Sequence, residues 1–233
     1  MDKEISRMFD NRSAEYDKNI ETLRNDKFVS RYIEIYFRMI DAIVNHIDSN
    51  KETIVLDIGT GTGRLAFEIA GKVKRVIGID ISEKMLEAAK NNSIKSGIKN
   101  IDFRSGSFLQ PGDFKKQFDV IVSNLALHHL TDEEKLIAAQ NMRDLLKNNG
   151  KLIIGDVMFF FNPKINFVKW WLMKKHIKKF AGRVLKKQIF DLRKEHATHV
   201  KNLKTIFEKS GFHVVGIKKI FPIAGIVFAQ KSD

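Results

Sequence analysis

The chain has 233 residues, 43% of them hydrophobic, which is enough for one globular domain with a substantial core. It contains no cysteine, so disulfides, thiolate metal ligands and cysteine nucleophiles are all excluded. No apolar run is long enough to span a membrane, and the N-terminus lacks the apolar stretch of a secretory signal. A cytoplasmic location is therefore the default expectation, and no metal site is predicted.

Positive charge is concentrated in one segment. The chain carries 41 Lys and Arg against 28 Asp and Glu, a net charge of +13. Residues 160–204 hold 13 of the basic and 2 of the acidic residues, so this stretch alone accounts for +11. The rest of the chain is nearly neutral, and an anionic partner is expected to bind that segment if it binds anywhere.

The chain begins with a predicted helical region, residues 1–50, and continues with alternating strands and helices. The leading helix is indicated by apolar residues that fall on one face: Phe28, Tyr32, Ile35, Ile40, Val44 and Ile47. Short β-branched runs then alternate with helical stretches, at residues 54–58, 76–80, 101–103, 118–122 and 151–155. Strands separated by helices predict βαβ units and a parallel sheet.

The helix and strand boundaries carry ordinary signals. Thr131 to Glu134 fits a capping box that begins a helix, and Gly150 is expected to end that helix. A last helix is predicted over 201–210, closed by Gly211. Strands at 213–220 and 225–230 follow, and their short connection predicts an antiparallel pair.

A glycine-rich loop follows the first strand directly, in the run Asp57-Ile58-Gly59-Thr60-Gly61-Thr62-Gly63-Arg64. Glycines at such a turn let the backbone bend tightly and let a ligand approach it. A dinucleotide fingerprint would need a glycine where Arg64 stands, and Asp57 suits a cationic ligand better than a pyrophosphate. A tight turn without a ligand is the alternative interpretation of the glycines alone.

Asp80 ends the second strand, 17 residues after Gly63. A carboxylate at the carboxyl edge of a parallel sheet can accept both hydroxyls of a ribose. It can equally interact with the N-terminus of the helix that follows, and the two roles are compatible.

Taken together, residues 55–64, 76–86, 118–130 and 145–156 resemble the class I S-adenosylmethionine-dependent methyltransferases. The resemblance implies an α/β fold of the Rossmann-like kind: a doubly wound, mostly parallel seven-stranded sheet whose last strand is antiparallel. It also implies a division into an N-terminal helical lid (1–50), a cofactor-binding core (51–158 and 198–233) and a basic helical cap insertion (159–197).

The same resemblance implies the cofactor, S-adenosylmethionine, and a set of contacts to it. Asp57 and the glycine loop would hold the methionine end, Asp80 the ribose hydroxyls, and the segment after the third strand the adenine. Many relatives have an acidic residue where this chain has Ser107, which weakens the adenine contact, while Phe108 would pack against the ring or in the core. The full predicted set is Asp57, Gly59, Thr60, Gly61, Gly63, Asp80, Ile81, Ser107, Phe108, Asn124 and Tyr16.

Histidines are the candidates for chemistry on the acceptor. Methyl transfer from a sulfonium is an in-line displacement in which alignment can supply most of the rate, so a general base is optional. His128 and His129 follow the fourth strand, and His196 lies in the segment that returns towards the pocket; each is a pocket residue or a packing residue. Tyr16 belongs to an N-terminal stretch typical of a lid over the cofactor, with a mobile arm as the alternative.

The basic insertion has three interpretations. Its stripe of Trp170, Met173, Ile177, Phe180 and Val184 has helical spacing, with lysines on the rest of the surface. It is the core of a pocket cap, or a helix that lies on an anionic membrane surface, or a basic and aromatic surface that follows RNA. We rank them in that order.

The sequence therefore predicts a methyltransferase acting on a small-molecule or lipid-like acceptor, in the cytoplasm and in the second interpretation at the membrane periphery. RNA methylation is the alternative, and a cofactor-binding protein without catalysis is a third hypothesis supported by Ser107 alone. Neither the acceptor nor the oligomeric state follows from the residues.

Overall fold

The computed structural model of the protein describes residues 6, 7, 9, 10, 30–161 and 196–232. The helices in this part of the chain are α1 (Ser30–Val44), α2 (Arg64–Ala70), α3 (Glu83–Ser96), α4 (Asp132–Leu145) and α5 (Val200–Lys209). The strands are β1 (Asn50–Ile58), β2 (Val73–Asp80), β3 (Ile101–Ser105), β4 (Phe118–Asn124), β5 (Leu146–Phe159), β6 (Thr198–His199), β7 (Phe212–Phe221) and β8 (Ala224–Lys231).

Seven of these strands form one continuous sheet in the order β3-β2-β1-β4-β5-β8-β7. The pairs from β3 to β5 are all parallel, whereas β8 is antiparallel to both of its neighbours, β5 and β7. The fold class predicted from the sequence is thus confirmed, including the antiparallel last strand. A two-residue strand, β6, adds an eighth member by pairing with the end of β5.

Two apolar cores cover the two faces of the sheet. Neighbouring residues of one strand alternate between them: Leu56 belongs to the core with α4 and α5, and Val55 to the core with α1, α2 and α3. Side chains alternate across a strand, so the two cores lie on opposite faces. The sheet is therefore doubly wound, and its central strands are apolar because both of their faces are buried.

The helix that opens at the capping box ends earlier than the sequence predicted. Thr131 accepts from Glu134 N and the Glu134 carboxylate accepts from Thr131 N, so the predicted start is confirmed. The helix ends at Leu145, five residues before Gly150, because Leu146 already pairs with Phe118 as the first residue of β5. The chain then bulges before the register resumes at Lys151 opposite Val120.

The parallel arrangement brings the carboxyl ends of β1, β2, β4 and β5 to one edge of the sheet, and the loops after them converge there. No helix among the described residues is long and apolar enough to cross a membrane.

Candidate active site at the carboxyl edge of the sheet

The glycine loop after β1 is fixed by its backbone to the end of β2. Gly59 N and Thr60 N both donate to Ile79 O, at 2.8 and 3.0 Å. Gly59 has φ +73°, and a Cβ on it would lie 2.5 Å from Ala126 Cβ, so only glycine fits there. Gly61 has φ +55° and no heavy atom near the position of its missing Cβ, so the loop presents bare backbone to open space.

Asp57 is a buried carboxyl at the base of this loop, 1% exposed. Thr60 Oγ1 donates to Asp57 Oδ2 at 2.7 Å. Burial raises the pKa of Asp57 to about 7, the Thr60 hydrogen bond lowers it, and the charge of Asp80 raises it. A cation placed beside Asp57 would lower its pKa again and stabilise the carboxylate, so the site favours a positively charged ligand group.

Asp80 holds the loop from the other side. Its carboxylate accepts from Gly61 N and from Ser82 N, both at 2.9 Å. Burial raises its pKa, while the hydrogen bonds from the backbone of Ser82, Gly61 and Ile81 lower it. A carboxylate has about four lone-pair positions, so these contacts leave capacity for ligand hydroxyls. The contact with Ser82 agrees with the second role predicted for Asp80, at the start of α3.

The N-terminal segment reaches the same edge of the sheet. Ser82 Oγ donates to Asp10 Oδ1 at 2.6 Å, and Ser6 Oγ donates to Ile81 O at 3.0 Å. Phe9 lines the pocket and lies edge-on to His129, with ring centroids 5.4 Å apart. Ser6, Phe9 and Asp10 therefore connect the Asp80 side of the pocket with the loop after β4. Tyr16, predicted to contact the cofactor from a lid, lies outside the described residues.

The loop after β4 forms the opposite wall. Asn124 ends β4, and both polar atoms of its side-chain amide are buried without a hydrogen-bond partner. Leu125 then adopts φ +58° while its N–H donates to Gly155 O at 2.8 Å. A buried amide left unpaired is costly, so this position is suited to a polar ligand group.

The segment after β3 borders the pocket at Ser107 and Phe108, and the adenine contact through Ser107 stays a prediction. Ser107 Oγ accepts from Leu109 N and Gln110 N, so this hydroxyl stabilises the turn in which it lies. Phe108 is 6% exposed and belongs to a hydrophobic core while also bordering the pocket. The two alternatives for Phe108, a ring contact and a core residue, are therefore compatible.

The three candidate histidines have different surroundings. His129 lines the pocket. His128 lies behind it, with its ring 4.2 Å from the ring of His129 and its Nδ1 2.5 Å from Asp156 Oδ1. His196 is exposed, and its N–H donates to His128 O at 2.8 Å. The structure thus brings all three together but presents only the side chain of His129 to the pocket.

One pocket collects most of the predicted contacts. It is lined by ten of the predicted residues, namely Asp57, Gly59, Thr60, Gly61, Asp80, Ile81, Ser107, Phe108, Asn124 and His129. Gly63 does not line it: this residue precedes α2 as its N-cap, with φ +88°, and a Cβ on it would lie within 3.0 Å of Phe67 and Phe103. Among the described residues, no group of three or more His, Asp or Glu side chains could hold a metal ion.

Sequence reasoning missed several pocket residues and one buried acid. Tyr36 of α1, Leu65 of α2 and Met85 of α3 line the pocket, but their spacing is that of ordinary core residues. The acid is Asp156, and the signal that identifies it is a carboxylate two residues after the apolar run 152–154. Its partner His128 is 28 residues away, a distance that no local pattern covers.

This set of groups fits S-adenosylmethionine. A buried acid suits an ammonium, a second carboxylate at the next strand end suits ribose hydroxyls, and the space at Gly61 admits a ligand to the backbone. The unpaired amide of Asn124 adds a polar group to the same pocket. A loop of this kind on a doubly wound sheet with an antiparallel last strand defines the class I methyltransferases.

Comparisons with known proteins lead to the same class. A model of the methyltransferase domain matches residues 49–211. An uncharacterized methyltransferase of Oceanobacillus iheyensis is 32% identical over 203 residues, 85% of this chain and 86% of that one. Another, from Bacillus pumilus, is 31% identical over 233 residues and covers 100% of both chains.

Among solved structures, magnesium protoporphyrin IX methyltransferase of Synechocystis with bound S-adenosylhomocysteine aligns over 100% of both chains, with a TM-score of 0.73 and 20% identity. That likeness shows the fold. The chain therefore belongs to the methyltransferase-domain family, and it is a class I enzyme that uses S-adenosylmethionine.

Proposed function

We propose that this enzyme methylates a small-molecule or lipid-like acceptor, and that the predicted contacts around the pocket hold the cofactor. The observation that carries the proposal is the composition of the pocket wall. None of the described residues that line it is Lys or Arg, and its apolar members include Phe9, Tyr36 and Leu130. A nucleic-acid acceptor would favour cationic groups at the reacting end, whereas a small apolar acceptor would not.

The roles proposed for the acidic residues follow from their chemistry. Asp57 would pair with the ammonium of the methionine end, since a buried acid gains most from a cationic partner. Asp80 would accept hydrogen bonds from the ribose hydroxyls while it continues to hold Gly61 and Ser82. S-adenosylmethionine supplies a methyl group on a positively charged sulfur, which makes that carbon electrophilic.

The roles proposed for the wall after β4 concern the acceptor and the methyl group. The Asn124 amide would gain its missing hydrogen bonds from bound ligand, and His129 would lie beside the acceptor. An apolar wall excludes water, which keeps the acceptor as the nucleophile. His128 and His196 would support this wall from behind through the contact of His196 N with His128 O.

The fold neighbour acts, by its name, on magnesium protoporphyrin IX, which is a small-molecule acceptor. This supports the proposed class and does not identify the acceptor, because at 20% identity the likeness concerns the fold.

The basic insertion is the region proposed to border the acceptor and to contact partners. The helical stripe of the basic insertion, with Lys174, Lys175, Lys178 and Lys179, lies in residues 162–195, outside the described residues. The described residues just before and after it are Phe161 and His196, and the backbone of His196 contacts the loop after β4. We favour a cap that borders the acceptor side, with an anionic membrane surface as a further partner for a lipid-like acceptor.

The experiment is a transfer assay with methyl-labelled S-adenosylmethionine and a cell extract separated into small molecules, lipids and RNA. We expect label in the small-molecule or lipid fraction, and no label with Asp80→Ala at a cofactor concentration that saturates the wild type only. Label in purified RNA at physiological salt, lost on charge reversal of Lys174, Lys175, Lys178 and Lys179, would overturn the proposal in favour of RNA methylation.

A further inference from the structure

A buried imidazole and carboxylate face each other directly behind the pocket wall. His128 Nδ1 lies 2.5 Å from Asp156 Oδ1, and both side chains are 3% exposed. The other carboxylate oxygen accepts from His128 N at 2.8 Å, and Oδ1 also accepts from Val157 N at 2.6 Å. Three hydrogen bonds therefore fix the position of this buried carboxylate.

This pair is in direct contact with the group that faces the pocket. The ring of His128 lies 4.2 Å from the ring of His129, at an interplanar angle of 44°. Phe9 contacts the His129 ring edge-on, with centroids 5.4 Å apart. Two rings therefore contact His129, and Asp156 holds one of them, that of His128, in place.

The other ionisable groups around the pair come from α4 and the returning segment. Lys135 is 2% exposed, and its Nζ donates to His196 O at 2.5 Å and to Asp132 Oδ1 at 3.2 Å. His196 N in turn donates to His128 O. The backbone of His128 is therefore anchored from α4, while its ring is anchored from β5.

We propose that Asp156 is a positioning residue for methyl transfer: it keeps His128 protonated at Nδ1, and the fixed His128 ring holds His129 towards the acceptor. This rests on the proposed function, in which the acceptor lies beside His129. An O–H or N–H acceptor must lose a proton as it gains a methyl group, and a ring nitrogen of His129 takes that proton. Asp156 itself never touches the acceptor.

The proposal fixes a tautomer, which can be measured without any substrate. A carboxylate only accepts hydrogen bonds, so its partner Nδ1 must carry a proton. Nitrogen NMR of the full chain with labelled histidine, assigned with His128→Asn and His129→Asn, should show a protonated Nδ1 on His128 from about pH 5 to 8. An unprotonated Nδ1 in the wild type would overturn the proposal whether or not any variant folds.

Asp156→Asn tests the consequence for catalysis. The amide presents a donor as well as an acceptor in place of two acceptors, so the His128 proton should move to Nε2 in a fraction of molecules. With the acceptor identified by label transfer, we expect kcat to fall at least tenfold while the affinity for S-adenosylhomocysteine changes less than twofold. The pH profile of kcat should shift as well, which loss of packing alone would not cause.

Asp119→Asn is the matched control. Asp119 also accepts from a backbone N–H, Ile54 N at 2.8 Å, and it pairs with Lys147 at the opposite edge of the sheet. Its substitution should leave kcat and the pH profile unchanged. Unchanged kcat and tautomer in a folded Asp156→Asn would refute the positioning role, whereas a wild type that does not bind S-adenosylhomocysteine would refute the proposed function instead.

Discussion

The two walls of the pocket are built in different ways. On the side proposed to hold the cofactor, the polar groups come from two short stretches, 57–63 and 80–82, and their hydrogen bonds run mainly from backbone N–H groups to Ile79 O or to the Asp80 carboxylate. On the side proposed for the acceptor, the groups come from β5, the loop after β4, α4 and the segment that returns at 196. The first wall is local in sequence, and the second is assembled over long separations.

The two kinds of wall suit two kinds of ligand: the cofactor, which all these methyltransferases share, and the acceptor, which differs between them. A wall made of backbone and two acids depends on glycine positions and strand ends, and it suits one invariant ligand. A wall made of side chains can change with each substitution, so it suits the part of the reaction that varies, the acceptor.

The sharpest test compares two glycines of one loop. Gly59→Ala combines a left-handed φ with a 2.5 Å approach to Ala126 Cβ, so we expect a loss of about 2–4 kcal/mol in the free energy of unfolding. Gly61→Ala carries only the strain of its φ, about 1–2 kcal/mol, because its Cβ would point into open space. Denaturant unfolding measures both.

Gly61→Ala, the variant with the smaller loss of stability, should show a clear loss of affinity. Any folded Gly61→Ala protein should bind S-adenosylhomocysteine more weakly, because the methyl group fills the space left for the ligand. Equal losses of stability in the two variants, or full affinity in Gly61→Ala, would contradict the idea that the backbone at Gly61 faces open space that the ligand occupies.

Asp80→Ala should weaken binding of S-adenosylhomocysteine by about 1.5–3 kcal/mol, since it removes charge-assisted hydrogen bonds and releases Gly61 N and Ser82 N. Calorimetry gives the dissociation constants. Asp102→Ala is the control, because Asp102 is a surface carboxylate that pairs with Arg75 and Arg104. If both variants bind as the wild type does, the ribose role of Asp80 is wrong.

Cofactor affinity should depend on pH through Asp57. The pKa of about 7 means that the free protein holds a proton on Asp57 below pH 7, which must leave before the carboxylate can pair with a cation. We expect the affinity for S-adenosylhomocysteine to rise up to tenfold per unit from about pH 5 to 7 and then level off. Asp57→Asn should abolish this dependence.

Thr60→Val sharpens the same measurement. It removes a hydrogen bond that lowers the pKa of Asp57, so the midpoint of the pH dependence should move upwards. The free energy of unfolding depends on the same group. Because the pKa of Asp57 in the folded protein lies above the unfolded value of 3.8, the free protein loses stability as pH rises from about 4 to 7. A midpoint that moves downwards would show that another group titrates.

Asn124→Leu should affect stability and binding in opposite directions. It replaces an amide whose buried polar atoms have no hydrogen-bond partner by an apolar side chain. We expect the free protein to gain about 1 kcal/mol in thermal or denaturant unfolding and to lose cofactor affinity or turnover. A variant that is less stable, with unchanged binding, would mean that the amide serves only the core.

The cofactor side could be largely anticipated because its signals are local. Gly59 and Gly61 follow the end of β1 in the chain, and Asp80 is the last residue of β2, so both positions follow from the strand pattern. The end of α4 could not be anticipated in this way. Gly150 is a strong stop signal, but the pairing of Leu146 with Phe118 ends the helix first.

The residues alone predict the order of strands and helices, the glycine loop and the two acids at the strand ends, because hydrophobic periodicity and turn chemistry act over a few residues. Tertiary packing determines which histidine faces the pocket, places Asp156 against His128 and, through burial, raises the pKa of Asp57 to about 7. Those outcomes depend on packing between segments 28 or more residues apart and on exclusion of water, and neither is written in any short stretch of the chain.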